Sequence, residues 1–549
     1  MKKKNVRKPL ALLLAAALAA SLAGCGQGQT ASSALPSSQN SGSSQPEPES
    51  ASQPEETEES LYPVVTDGSI TLKYWCSIAN QATQFIQNYS ENLAYQEIMK
   101  NTGINIEFIH PASGQEKEQF NIMMVSGSLP DIVGGAQQYS GGVSQGVEDG
   151  FFVDLAPYLE ECAPDYYELI NSSEEAHRQT YHGERVCAFY PLTFEAAPPW
   201  LRPLVRQDLL DEFGMEALAT YDDYETYFQN ILDKKDGITP FVFRADNSND
   251  MNVFMSGYDM LFGFYVKDGK IQHYYSDENL LPFLTMMNDW YQKGYISKDS
   301  AALDSKQIFA MYDAGQLGCY IDSVDTLYSR DSESEVLTIG SAPYPRKTED
   351  QQIHTAPSTD IRGASYHTAI TTNCQNIEAA VKFLNYGYTE EGSRIYNYGV
   401  EGQTFTIEDG EPKFTDMMLK PENGMTASNV SFIYKIHFGP KLCEPDTKAH
   451  PGVVGDEDAL AFRFLWADDP NVDSSYRCPP FTLNEEETSE RATIMTNLDT
   501  YAQEMILRFI TGVDSLSNFD AFSAQIEELG MSRAIELTQQ AYDRYMAGE

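Results

Sequence analysis

Trp75, Trp200 and Trp466 are tryptophans whose neighbours leave them available for more than core packing. An indole plane lies flat on an apolar ring face, while Asp, Glu, Asn or Arg beside it trades hydrogen bonds with hydroxyls. That is the chemistry of reversible binding. Trp75 closes the alternating run "ITLKYW". It faces the crevice beyond a sheet's carboxyl edge if that strand is parallel, with ordinary core packing as the alternative. Asp131 follows Leu129-Pro130 at the start of an apolar strand. Its carboxylate is placed to accept two hydroxyls or to cap its own turn. Trp200, in "APPWLRP", is held stiff by prolines, as a platform or as hinge filling. Arg206 offers a bidentate fork to a ligand carboxylate or diol, with Asp208 and Asp211 as competing partners. Trp466, in "FRFLWADDP", is a further stacking platform. Trp290 differs, because Leu284, Met287 and Tyr291 share its helical stripe and make it core.

Chemistry that breaks bonds is harder to find. Beyond Cys25 the cysteines are scattered, with no C-x-x-C pair and no Cys/His cluster at zinc spacing. Buried thiols are the expectation, and one or two disulfides stay open. His177 and His182 are five apart, off the spacing that puts two ligands on one helical face, so no metal is assigned. No G-x-x-x-x-G-K-[ST] loop occurs, which removes nucleotide hydrolysis by that route. Glycoside hydrolysis needs two carboxylates at a fixed separation, and a chain with 81 acidic residues offers chance pairs in plenty. No cofactor is expected.

The start of the chain has a plainer logic. Lys2, Lys3, Lys4, Arg7 and Lys8 precede the apolar run Leu10–Ala20, and small residues lead to Cys25. This order reads as an export signal over residues 1–24, too short to remain as a membrane span. Leu22-Ala23-Gly24-Cys25 resembles the bacterial lipobox, in which the cysteine is acylated and becomes the new N-terminus. Two or three acyl chains anchor durably where one would be marginal. Residues 25–61 hold little to bury and read as a disordered tether, whose r.m.s. span of roughly 30–36 Å lifts a body off the membrane. Loss of the five basic leader residues takes the net charge from −44 to −49. Such a surface repels phosphate backbones and anionic lipid heads, so nucleic acid is not an expected partner and membrane contact is through the anchor alone.

Strands and helices then alternate. "ITLKYW", "INIEFI" and "DIVG" read as strands separated by the helices of "ENLAYQEIMKNTG" and "EKEQFNIMMVSG". "VCAFYPL", "LRPLVR", "LGCYI" and "SYHTAITTNC" are further strands, and "FGFYVKDGKIQHYY" is a hairpin turning at Asp268-Gly269. "YDDYETYFQNILDKKDG", "LLPFLTMMNDWYQKGYI" and "SKQIFAMYDAGQ" are helices, "NIEAAVKFLNYGYTEEGSRIYNYG" is one long helix, and the last sixty or so residues are mainly helical. The class is α/β, and about 490 residues exceed one core, so two lobes are expected.

"FNIMMVSGSLPDIVG", "LVRQDLLDEFGM", "VKDGKIQHYYSDENLLPFLTMMNDWYQKGYI" and "RIYNYGVEGQTFTIEDGEPKFTD" together resemble the extracellular substrate-binding lipoproteins of sugar-type ABC importers. The resemblance runs from about Ile70 to the C-terminus, with "SGSLPD" and "NYGVEG" its most specific pieces. It implies a periplasmic-binding-protein fold, two α/β lobes on a hinge closing over a ligand. The lobes are expected at 62–190 with 342–395, and at 191–341 with 396–549. It also implies a monomeric receptor that passes an oligosaccharide to an ABC permease at the outer face of the cell membrane. A peptide or other polar solute on the same fold is the alternative, and a surface glycoside hydrolase a more distant one. Tyr398 and Glu401 lie in the family's own signature, where glycines bracket a carboxylate that either meets ligand or locks a turn. Two departures stand out. Leu209 occupies a place where tryptophan is common, and "LDKKDGITP" has too few oxygens for the calcium loop of some relatives.

Overall fold

A computed structural model describes residues 60–195, 201–245, 247–323, 339–354, 360–454 and 469–548. The leader, Cys25 and nearly all of the tether lie outside these residues, as do Trp200 and Trp466.

The first sheet combines β1 (Thr71–Trp75), β2 (Asn105–Ile109), β3 (Ile132–Gly134) and, from far along the chain, β11 (Thr368–Ile370). Its order is β11-β3-β1-β2, with the first three strands parallel and β11 antiparallel to β3. The crossover helix Leu93–Thr102 starts where Asn92 accepts the Tyr95 N–H and stops at Gly103, φ 72°. A side chain there would strike the Val65 carbonyl at 1.8 Å, so the position demands glycine.

The second sheet has the order β5-β8-β4-β9, from β4 (Leu201–Arg206), β5 (Thr239–Phe241), β8 (Leu317–Ser323) and β9 (Ile339–Ser341). β5 and β8 are parallel, while β4 runs against both of its neighbours. Beside it the hairpin β6 (Phe264–Lys267) and β7 (Lys270–His273) turns through Asp268 and Gly269, both at positive φ as a two-residue primed turn requires. Trp290 is fully buried among Tyr221, Phe228 and Phe254, and its Nε1–H donates to Glu225 (2.8 Å), as its stripe predicts.

Each sheet has its own core. One gathers Leu72, Phe108, Ile132, Phe189 and Phe383; the other Phe228, Phe241, Trp290, Ile506 and Phe522. The α/β class and the two separate cores expected from the sequence are therefore present. Three expectations are corrected. "VCAFYPL" runs extended but makes only isolated bridges, through Phe189 and Leu192. The long helix breaks into Ile377–Asn385 and Glu390–Tyr398, because the Thr389 hydroxyl accepts the Gly392 N–H and caps a new start. Residues 396–454 pack with the first core, not the second: Tyr396 and Ile436 join it, and Phe432 and Ile433 meet Ala82 and Ile86.

Three chain segments run side by side against the first core, in which Leu192 is fully buried. Pro191–Thr193 is flanked by Ile361–Gly363 and Lys441–Cys443. Thr193 N–H donates to the Ile361 carbonyl and Gly363 N–H to that of Pro191, both at 2.8 Å. On the other side Leu192 N–H reaches the Lys441 carbonyl (2.9 Å) and Cys443 N–H that of Leu192 (2.7 Å). The first two adjoin stretches where the chain passes from one sheet to the other, which is where a hinge lies. Beyond it, β10 (Ile353–His354) pairs with β14 (Val472–Asp473) on the second lobe, and the small hairpin β12 (Phe405–Glu408) and β13 (Glu411–Phe414) follows the NYGVEG turn.

Candidate functional site

Open parallel sheets present their ligand crevice outside the carboxyl ends of the strands, where the strand order reverses. In the first sheet that place is β1, flanked by β2 and β3. The loop leaving β1 is pinned from two sides. His110, just beyond β2, has Nδ1 2.7 Å from the Cys76 carbonyl, while its Nε2 accepts the Tyr89 N–H (3.1 Å). The Nδ1–H tautomer satisfies both, so the ring is neutral, and burial holds its pKa below the usual histidine value. Tyr89 Oη accepts the Ala79 N–H (3.2 Å) and Ser113 donates to Asn80 (2.8 Å). Between these loops lies an open hollow of about 460 Å³ lined by Ile78, Thr83, Gln87, His110 and Ser113.

β11 runs antiparallel to β3, so its start, Thr368, pairs with Gly134 at the carboxyl edge of the sheet. Tyr366, two residues earlier, is therefore brought to the edge where β1, β2 and β3 end. Its ring lies on that of Phe438, with centroids 3.9 Å apart and planes 8° from parallel. Phe438 packs on Phe432 (centroids 5.2 Å apart), in the cluster with Ala82 and Ile86 against which Ile78 and Ala79 of the β1 loop also pack. Tyr366 remains 38% exposed and sits at φ 62°, a region a tyrosine seldom occupies. Such a backbone costs of order 1–3 kcal/mol and persists only where the surrounding structure holds it.

In the second sheet β5 and β8 end at the edge where β4 begins. The chain leaving β5 is locked by Arg244, whose guanidinium grips buried Asp250 (2.7 and 3.1 Å). Tyr344 donates to the Leu201 carbonyl at the same edge (2.9 Å).

The residues singled out in the sequence fall elsewhere. Trp75 is buried against Phe120 in the first core. Asp131 is at the amino end of β3, the wrong end for a crevice, where its carboxylate accepts the Lys73 N–H (2.8 Å) and its carbonyl the Thr371 N–H (3.0 Å). Arg206 ends β4, and because β4 is antiparallel that end points away from the carboxyl ends of β5 and β8. Its fork is filled by Asp208 (2.6 and 2.5 Å) and its Nη1 by the Gly315 carbonyl (3.0 Å). Tyr398 is buried with Phe405 and Phe414. Glu401 is exposed on the turn that follows Gly399 and bridges to Phe405. Tyr366 was missed because a lone tyrosine in "GASYHT" carries no local sign of exposure.

The family model described as "Bacterial extracellular solute-binding protein" matches residues 84–394, more than half of the chain. The chain is a bacterial extracellular solute-binding protein. This solute-binding protein is 22% identical to the fructooligosaccharide ABC transporter substrate-binding protein FusA of Streptococcus pneumoniae, over 84% of the chain and 88% of FusA. It is 23% identical to lipoprotein LipO of Bacillus subtilis over 57% of the chain, and spans 63% of LipO. Its fold matches solved structures of FusA with kestose (TM-score 0.69, 18% identity, 87% of this chain and 100% of that one) and of alginate-binding protein AlgQ2 (0.69, 20%, 87% and 99%). The solute-binding family is not an enzyme family, and among the described residues no helix is long and apolar enough to cross a membrane.

Proposed function

We propose that this solute-binding protein captures an oligosaccharide between its lobes, without altering it, and delivers it to an ABC permease. The observation that carries the reading is the Tyr366–Phe438 stack at the carboxyl edge of the first sheet. Sugar rings present flat C–H faces, and an exposed aromatic plane backed by a second ring matches them at little cost in side-chain entropy. The Asn80, Gln87 and Ser113 side chains of the neighbouring loops supply hydroxyl partners of the neutral kind. Relatives named for fructooligosaccharide and alginate binding favour the same class of ligand. Closure would follow from contacts that form only when both lobes touch the ligand. The alternative of a peptide cargo lacks a carboxylate-lined floor at this edge among the described residues. Acylated Cys25 with its tether places the body, a monomer, at the outer face of the membrane.

Calorimetric titration with fructooligosaccharides, alginate oligosaccharides and N-glycan fragments, paired with small-angle scattering, tests the reading. Saturable binding with a fall in radius of gyration, and no new reducing ends, is expected. Absence of both across the panel, or release of new reducing ends, would count against it.

A further inference from the structure

A second cavity, of about 280 Å³, lies at the hinge and apart from the β1 loop. Its wall is drawn from both lobes: the helix Glu174–Thr180 on the first, the helix Met531–Ala547 on the second, and Arg362 of the hinge between them. Tyr545 donates to Glu175 (3.2 Å) and so ties these two helices together.

Three arginines line this space, and two are already balanced. Arg178 pairs with Glu174, itself on the cavity wall, and with Glu175 (2.7 and 3.1 Å). Arg544 grips Glu487 with both nitrogens (2.7 and 2.5 Å). Arg362 is not. It is only 5% exposed, and among the described residues no carboxylate pairs with it. Its Nη2 donates to the Pro480 carbonyl, its Cζ lies 5.2 Å from the centroid of the Tyr190 ring, the Tyr190 hydroxyl adds a hydrogen bond, and its buried Nε has no partner. A carbonyl and an aromatic face compensate a buried guanidinium in part, but leave its unit charge in a low-dielectric place. His182, also on the wall, adds a neutral polar ring rather than a negative charge.

We propose that this hinge cavity binds a small free oxyanion, a phosphate or a short carboxylate, with Arg362 as its principal ligand and Arg178 and Arg544 flanking it. Guanidinium groups hold such anions by paired N–H donors, and Arg362, which lines the cavity, keeps a buried Nε without a partner. The anion neutralises a buried arginine that, among the described residues, no carboxylate balances. Because the wall belongs to both lobes and to the hinge, an occupied cavity favours the lobe arrangement seen here, so the anion and the lobe-closing ligand are thermodynamically linked.

The test uses the mature chain without any sugar, so its outcome is independent of the oligosaccharide reading. Inorganic phosphate and succinate are titrated by calorimetry at constant ionic strength, with sodium chloride as the control. Saturable heat with either anion and none with chloride is expected. Arg362→Gln should weaken that binding by about tenfold or more, as removal of a charge-assisted pair requires. If that variant does not fold, a selenate soak of wild-type crystals replaces it, and anomalous density within hydrogen-bond reach of Arg362 is expected. Heat no different from the chloride control, unchanged affinity in Arg362→Gln, or selenate only at the molecular surface would each overturn the proposal.

Discussion

Tyr366 lies flat against Phe438, 3.9 Å between centroids, with its outer face exposed and its backbone at positive φ. Residues distant in sequence, one entering β11 and the other following the helix Ala427–Tyr434, meet at the carboxyl edge of one sheet.

Removing the Tyr366 ring should separate binding from stability. Tyr366→Gly relieves the left-handed backbone, a saving of about 1 kcal/mol or more that offsets the added freedom of the unfolded chain. The thermal midpoint is expected to fall modestly, because the lost Phe438 contact outweighs the relieved strain, while oligosaccharide affinity falls by about 1–2 kcal/mol, measured by calorimetry. A variant that binds like wild type would remove the stack from the site.

Arg206→Gln and Asp131→Asn should behave in the opposite way. Arg206 holds Asp208 and the Gly315 carbonyl, and Asp131 holds a β1 amide, all at sheet ends remote from the crevice. Each loses about 1–3 kcal/mol of stability in urea unfolding, with oligosaccharide affinity unchanged. Lost affinity at intact stability would restore either residue to the ligand.

Gly399→Ala tests the signature turn. Gly399 sits at φ 90°, ψ −133°, and a Cβ there would come within 2.4 Å of Thr404 Oγ1 and 2.9 Å of the Tyr434 carbonyl. Strain and overpacking together should cost about 2–4 kcal/mol, read from the urea midpoint. An unperturbed midpoint would show that the turn yields.

Acid should weaken the fold through buried imidazoles. Burial and the nearby Arg362 depress His367 to about 3, and burial with Arg491 does the same to His273, from an ordinary value of about 6.5. Below 6.5 the unfolded chain takes up protons that the folded one refuses, so stability is full above that pH and declines as pH falls towards 3. Urea midpoints should drop between pH 7 and pH 5. A flat profile over that interval would contradict the neutral, buried state of both rings.

Cys25→Ala should release the protein. With its acylation site gone, the mature chain is expected in the culture medium rather than in the membrane fraction, as read by fractionation and immunoblot. Continued membrane retention would assign the anchor elsewhere.

Local chemistry was legible from the residues alone. The run "ITLKYW" is β1, Thr220 and Asp223 make the capping box that starts the helix Tyr221–Lys234, and Asp268-Gly269 makes its hairpin turn. Each of these depends on neighbours within a few positions, so sequence determines them. The alternation of such elements and the length of the chain then call for two α/β cores.

What the chain could not announce is which end of each strand faces the crevice. Arg206 terminates a strand that proves antiparallel, Asp131 begins one that proves parallel, and Trp75 ends its strand with the ring turned inward. Strand direction and side-chain facing are settled by partners far away in sequence, as are the three hinge segments at 191–193, 361–363 and 441–443. Tyr366 and Phe438 meet for the same reason: hydrophobic burial and ladder hydrogen bonds fix long-range register, and only that register turns a lone tyrosine into a surface a ligand can use.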